Sequence, residues 1–248
     1  MPDETNTRSA EKATVADVIS FFSNFGSLGV FAWLLSSTTF DKGAVEVMIL
    51  LPWLTVVVAH YFPDKFTVGI AKAKDDNRRS LATPWAIGLM NSFMLHQYVA
   101  FIEIWKVILL GLVFGCMLTG FALAFDPILG RRGLRVFVVP TLLFAGFYGY
   151  AAVVHVNILF DQSEPEIHQA VVSQRINPSR GSPLLVIEPW GPVLRSKAIS
   201  VPYRVYSSSI AGGPVCLVQR SGRLGLEWYT AQTCPWSGER VLTKRPTW

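Results

Sequence analysis

Five hydrophobic segments follow one another along the first 160 residues of the chain, and a more polar region follows them. The most apolar segment, 107–125, contains no charged residue. About 20 apolar residues are enough to cross the hydrocarbon core of a bilayer. The pattern therefore predicts membrane-spanning helices, with the candidate segments at residues 18–35, 44–62, 81–102, 107–125 and 136–160.

These segments define the predicted domain organisation. A polar N-terminal segment, 1–14, precedes an α-helical transmembrane bundle of four to five spans over residues 15–160. The tail, 161–248, alternates apolar and polar residues with a period of two, which is typical of strands. Its short runs, separated by Pro, Gly and Ser, predict strands at 170–172, 184–187, 199–205, 215–218 and 224–229. The predicted fold is therefore a helical bundle followed by a small, mainly antiparallel β domain of about five strands.

The third segment, 81–102, has two interpretations. It is long enough to span a bilayer, but Asn91, His96 and Gln97 lie within it. It is either a span that turns a polar face inwards or an amphipathic helix lying in the membrane interface. The second segment contains Pro52, which predicts a kink because proline removes one backbone donor.

The first segment carries a polar face made of Ser20, Ser23, Asn24 and Ser27 at helical spacing. Such a face normally packs against another helix and forms hydrogen bonds across the contact. The functional alternative is a candidate intramembrane polar site, since polar groups within a membrane often serve transport. Its residues would be Ser20, Asn24, Ser27, Asn91 and His96.

Small residues in the last two segments predict a close helix pair. Gly111 and Gly115 lie four residues apart, and Ala145, Gly149 and Ala152 form a second stripe. Small residues at such spacing allow two helix backbones to approach closely in a membrane. A short polar connection, 130–134, favours an antiparallel hairpin.

Basic residues predict the orientation, because loops rich in Lys and Arg stay in the cytoplasm. One basic loop joins the second and third segments, and the other, with Arg131, Arg132 and Arg135, joins the fourth and fifth. This pattern predicts a multi-pass protein of the bacterial inner membrane, with a cytoplasmic N-terminus and an extracytoplasmic tail. The low charged fraction of 16 %, against roughly 25 % in soluble domains, agrees with a membrane protein.

The tail contains two of the three cysteines. Cys216 and Cys234 are predicted to form a structural disulfide, which an extracytoplasmic compartment permits. A tight turn at Ser221-Gly222 is predicted to connect the last two strands, so that the chain must bend back after Tyr229 to bring Cys234 near Cys216. The alternative is a zinc or redox pair, but no nearby His and no C-x-x-C motif support it.

A set of short motifs lies within residues 104–236: Tyr148-Gly149-Tyr150, Asn157, Asp161-Gln162-Ser163, Pro165, Glu188-Pro189-Trp190-Gly191-Pro192, Val215-Cys216, the run from Gly222 to Tyr229, and Cys234. In these motifs the chain resembles uncharacterised proteobacterial membrane proteins that have an apolar helix pair followed by a small Cys-containing β domain. The resemblance implies that architecture and no known activity.

We find no catalytic, metal or cofactor signature in the sequence. His60 and His155 are too isolated to predict a haem site. Glu103 and Lys106 lie three residues apart and are predicted to form a surface ion pair. No basic run indicates nucleic-acid binding, despite the net charge of +5. Apart from membrane lipid, the expected partner is an envelope protein or a second copy.

The favoured function is a membrane-anchored binding or assembly protein that presents its β domain outside the cytoplasm. The alternative is a small transporter or channel component that uses the polar faces of the first and third segments. An enzyme is the least favoured, because no nucleophile has a convincing base near it in the sequence.

Overall fold

A computed structural model describes residues 18, 19, 26, 42–68, 79–81, 98–125 and 134–234. The chain divides into two compact units. The helical unit takes its described residues from 1–91 and 110–152, and the sheet unit takes its described residues from 92–109 and 153–247. We describe each unit by itself.

Three long helices have defined bounds: α1 (Lys42–Tyr61), α2 (Ile104–Phe125) and α3 (Leu134–Leu159). Two of them, α2 and α3 from Leu142 onwards, are long and apolar enough to cross a membrane by length and composition. The apolar part of α1, Val45–Tyr61, is shorter.

The predicted bundle of four to five spans is therefore wrong. The second segment forms α1, whose apolar stretch falls below the roughly 20 residues that a span needs. The described end of the third segment, 98–102, is largely extended rather than helical, and its residues Ala100–Phe101 form strand β3. The first segment lies outside the described residues, except for residues 18, 19 and 26.

The helical unit is held together by contacts among α1, α2 and α3. Trp53 on α1 packs edge-on against Phe114 of α2, with ring centroids 5.5 Å apart. The Tyr148 hydroxyl of α3 donates to the carbonyl of Ile49, which lies one turn before Pro52 in α1. A two-stranded parallel pair, β1 (Phe66–Thr67) with β2 (Arg79–Ser80), adds Phe66 to the same core.

The predicted close contact between the small-residue stripes is present. A Cβ at Gly115 would overlap the backbone of Ala145, and a Cβ at Gly149 would overlap the carbonyl of Gly111. Backbone therefore packs on backbone where α2 and α3 cross, and only glycine fits at these positions.

The sheet unit is built on six strands, which are β3 together with β4 (Glu166–Ile176), β5 (Leu184–Ile187), β6 (Lys197–Ser200), β7 (Pro214–Arg220) and β8 (Trp228–Gln232). They form one antiparallel sheet in the order β3-β8-β7-β4-β5-β6. A short helix, α4 (Tyr203–Ser208), follows β6.

One face of the sheet forms the core of this unit. Inward residues alternate along β4, where Ala170 and Val172 are buried while Ile167 and Val171 are exposed. Their cross-strand partners continue the face, because directly paired residues of antiparallel strands point to the same side. Leu217 pairs with Ala231, and Leu185 pairs with Ile199, and all four are buried.

Two local predictions in this region are wrong. Residues 199–205 were predicted as one strand, but β6 ends at Ser200 and α4 begins at Tyr203, directly after Pro202. The connection between β7 and β8 is not a two-residue turn, because Arg220 pairs with Trp228 and residues 221–227 form a longer loop.

Candidate functional site

The sheet curls until its two edge strands meet. Lys197 on edge strand β6 donates from Nζ to the carbonyl of Phe101 on edge strand β3, over 3.0 Å. The same Nζ lies 5.7 Å from the centre of the Tyr229 ring on β8. Lys197 therefore closes the inner face of the sheet at one end.

At this end the inner face changes from apolar to polar. Glu166 on β4 pairs with Gln219 on β7, which pairs in turn with Tyr229 on β8, so the three side chains share the inner face. His168 lies two residues after Glu166 on the same face. We call this set the polar end: Glu166, His168, Lys197, Gln219 and Tyr229, together with Trp190 from the loop after β5.

Aromatic contacts connect the members of the polar end. The ring of His168 lies 5.2 Å from that of Trp190, and the ring of Trp190 meets that of Tyr229 edge-on at 4.9 Å. Trp190 is fixed by its backbone, since its N–H and carbonyl both bond to Val193 in a tight loop. The order of contacts is therefore His168, Trp190, Tyr229, Lys197.

Three polar side-chain atoms of the polar end are buried without a hydrogen-bond partner among the described residues: Nε2 of His168, Oε1 of Gln219 and the hydroxyl of Tyr229. Tyr229 as a whole is only 1 % exposed. Buried polar atoms are nearly always bonded in native proteins, and each exception needs an explanation. Three exceptions at one end of one sheet mark this region as the candidate site.

Burial changes the electrostatics of two of these side chains. It raises the pKa of the Tyr229 hydroxyl to about 12, because the ionised phenolate would be poorly solvated. It lowers the pKa of the Lys197 ammonium for the same reason. Glu166 is largely exposed, and its carboxylate lies 3.7 Å from Nε2 of His168, too far for a hydrogen bond.

The same end of the sheet is bound to the last turn of α3 and the segment after it. The side chain of Asn157, which is fully buried, accepts from the N–H groups of Leu224 and Leu226 and donates to the carbonyl of Leu226. Asp161 accepts from the Gly222 N–H at 3.2 Å and from the Trp228 indole at 2.9 Å. The loop 221–227 is thus folded around two polar side chains.

Gly222 is required in this loop. It adopts a positive φ of 75°, and a Cβ there would overlap the side-chain amide of Asn157. Ser163 completes the junction, since its hydroxyl accepts from the Ser221 N–H and its carbonyl accepts from Arg220. The motif residues Asn157, Asp161, Ser163 and Gly222 therefore have a structural role in joining the helix end to the sheet.

The predicted disulfide between Cys216 and Cys234 is confirmed. Their Cα atoms lie 4.9 Å apart. No bend after Tyr229 is needed, because the long loop places Cys216 opposite Gln232, two residues before Cys234. The bond therefore fixes the end of β8 to the outward face of β7.

The predicted intramembrane site, Ser20, Asn24, Ser27, Asn91 and His96, lies outside the described residues. Glu103 and Lys106 form the predicted exposed ion pair. His60 packs against Phe125 with ring centroids 4.5 Å apart. Among the described residues, no group of three or more His, Cys, Asp or Glu side chains is placed to hold a metal ion.

Sequence reasoning did not find the polar end. Its members come from four strands and a loop, so no local motif contains them. The one available signal was the run from Glu188 to Pro192, in which two prolines flank Trp190-Gly191. No family model, curated protein or solved structure matches the chain.

Proposed function

We propose that this chain is a membrane-anchored binding protein of a bacterial inner membrane. The hairpin of α2 and α3 is the anchor, and the sheet unit lies outside the cytoplasm, where it binds a component of the cell envelope or a second copy of the chain. The proposal concerns an anchor and a binding domain, with no chemical step.

The exposed surface of α2 is the observation that carries this proposal. Only 33 % of its apolar 18-residue window is buried. The core helix of a soluble protein would bury its apolar side chains, whereas a lipid-facing helix leaves them exposed. The exposed apolar side chains of α2 include Ile108, Leu109, Leu112, Val113, Met117 and Phe121.

Chain connectivity supports placing the whole sheet on one side of the membrane. Strand β3 precedes α2, strand β4 follows α3, and both strands belong to the same sheet. A hairpin that crosses a membrane twice therefore keeps the sheet on one side and residues 126–133 on the other. Arg131 and Arg132 favour the cytoplasm for this connection, and the Cys216–Cys234 disulfide favours an oxidising compartment for the sheet.

A pair of reporter fusions tests this arrangement. We expect alkaline phosphatase fused after Trp248 to be active in cells, and a fluorescent protein that matures only in the cytoplasm to be dark at the same position. The matched control places each reporter after Gly130, where the two results should be reversed. An inactive phosphatase after Trp248 would refute the extracytoplasmic placement.

Site-specific crosslinking tests the binding role. A photoreactive residue at Tyr203, which is exposed in the sheet unit, should give a discrete protein adduct in intact cells. The same residue at Leu112, on the exposed face of α2, should crosslink mainly to lipid. Equal patterns at the two positions would contradict a specific partner for the sheet unit.

A further inference from the structure

We propose that the polar end of the sheet unit is a closed binding site for a small neutral polyhydroxylated ligand, a sugar or polyol. Its three unpaired polar atoms are the hydrogen-bonding groups of the site, and the Trp190 ring is its apolar wall. This inference goes beyond the membrane proposal and holds on whichever side of a membrane the sheet lies.

The hydrogen-bonding capacity of the site defines the ligand. Gln219 donates from Nε2 to the Glu227 carboxylate over 3.4 Å, which leaves its Oε1 as an unpaired acceptor. The Tyr229 hydroxyl is both a donor and an acceptor. A ligand must therefore supply at least one donor to Gln219 and a group able to pair with Tyr229. A hydroxyl group does both.

The charges around the site exclude a strongly charged ligand. Glu166 lies beside His168, and Glu227 in the loop before β8 contacts Gln219, so both carboxylates would repel a carboxylate or phosphate. Lys197 lies on the other side of Tyr229 and would repel a cation. A neutral ligand meets neither penalty, and the exposed faces of sugars pack well on an aromatic ring such as Trp190.

The site is closed in this structure. The three unpaired atoms have almost no accessible surface, so a ligand reaches them only after a side chain moves. In the proposed binding mode His168 is the side chain that moves, because it is 29 % exposed and its ring lies against that of Trp190, which in turn meets the ring of Tyr229. A rotation of His168 towards solvent would then expose the Trp190 ring first.

The test uses the full chain in nanodiscs made of phosphatidylcholine, which removes sugar-headed detergents that would compete. Glycerol, glucose and N-acetylglucosamine are the probes, with acetate and methylammonium as charged controls. The readout is the imidazole signal of 15N-labelled His168, assigned by its loss in His168→Gln. We expect a saturable shift with at least one neutral probe and none with either ion.

Tyr229→Phe distinguishes a binding role from a structural one. Removal of an unpaired hydroxyl leaves no partner unsatisfied, so the variant without ligand should melt at the same temperature as the parent or higher. Its affinity for the probe should fall at least tenfold.

Three results would overturn the inference. The first is a lower melting temperature for Tyr229→Phe without ligand, which would show that the hydroxyl is already paired. The second is saturable binding of acetate or methylammonium in place of the neutral probes. The third is the absence of a saturable His168 shift with every probe. A rise in melting temperature when a probe is added does not count as binding, because sugars and polyols stabilise folded proteins in general by exclusion from their surface.

Discussion

The side-chain amide of Asn157 bonds to the backbone of Leu226 through both its nitrogen and its oxygen. The Nδ2 atom of Asn157 donates to the carbonyl of Leu226 at 2.7 Å, and Oδ1 accepts from the N–H of Leu226 at 3.4 Å and from that of Leu224 at 3.0 Å. Asn157 thus supplies to the loop 221–227 the bonds that a neighbouring strand would otherwise supply. This explains why residues 221–227 form a long loop in place of a tight turn.

The first prediction concerns this amide. Asn157→Ala should destabilise the sheet unit, because it leaves the buried N–H and carbonyl of Leu226 unpaired, at a cost of about 1–3 kcal/mol for each group. It also removes the bond to the N–H of Leu224. The loop should open, and trypsin should cleave after Arg223, which is exposed within it. Intact-mass analysis of timed digests measures the rate of this cleavage.

Two matched variants control the Asn157 experiment. Asn157→Asp keeps the acceptor and loses the donor, so it should give an intermediate rate of cleavage. Gln162→Ala changes an exposed residue in the same segment and should behave as the parent does. Equal cleavage rates for Asn157→Ala and the parent would show that the amide does not hold the loop.

The second prediction concerns the disulfide, which closes a sequence separation of 18 residues. Replacement of Cys216 and Cys234 by serine should cost roughly 3 kcal/mol on the chain-entropy model, because the unfolded chain regains freedom. The melting temperature of the full chain should fall by several degrees. Cys116→Ala is the control, since Cys116 is an exposed free cysteine on α2.

Mass analysis after thiol alkylation checks the state of the bond directly. Freshly isolated protein should carry one alkylated cysteine, Cys116, before reduction and three after it. Three alkylated cysteines before reduction would mean that the bond is not formed in cells. That result would also remove one support for the extracytoplasmic placement.

The third prediction compares two helical glycines, one with crowded surroundings and one with open surroundings. Gly149→Ala should destabilise the helix pair by about 1–3 kcal/mol, because the added Cβ overlaps the carbonyl of Gly111 and forces the backbones apart. Gly120→Ala should have the opposite sign, a gain of about 0.5–1 kcal/mol, since no described atom lies within 4 Å of its Cβ position and alanine is the better helix former.

Thermal unfolding of the two glycine variants in the same lipid nanodiscs measures the difference between them. A shift of equal sign in both would show that the contact between α2 and α3 does not depend on the missing side chain at position 149. In that case the two helices would be held by their other contacts, such as the one between the rings of Phe114 and Tyr148, whose centroids lie 6.2 Å apart.

The parts of the fold that follow local rules could be predicted from the sequence. Strand β5 was predicted at residues 184–187 and has those bounds, because an apolar run between prolines permits little else. The contact between α2 and α3 was predicted from small residues at helical spacing, since that spacing alone places them on one face.

The remaining errors have a common physical cause, which is pairing over long sequence distances. Residues 100–101 form a strand only because Trp228 and Tyr229 pair with them, far away along the chain. Residues 199–205 alternate as a strand would, but Pro202 interrupts that pattern and its carbonyl accepts the first helical bonds of α4. The polar end combines both difficulties, because its members meet only after six strands have paired.

The last prediction concerns the pH dependence that Tyr229 gives to the sheet unit. Burial raises the pKa of its hydroxyl from 10.0 to about 12. Between these values the unfolded chain loses the phenolic proton while the folded chain keeps it. The folded state is therefore favoured fully below pH 10, and this contribution is lost as the pH rises through about 12.

Tyr229→Phe removes the ionising group and should lack this loss. The ultraviolet absorbance of phenolate, followed during a pH titration of both proteins, measures the difference directly. The parent protein should show a rise in phenolate absorbance near pH 12 that Tyr229→Phe lacks, well above the ordinary tyrosine pKa of 10.0. A missing step near pH 10 would show that the hydroxyl is solvated in the folded protein, and that the polar end is open to water.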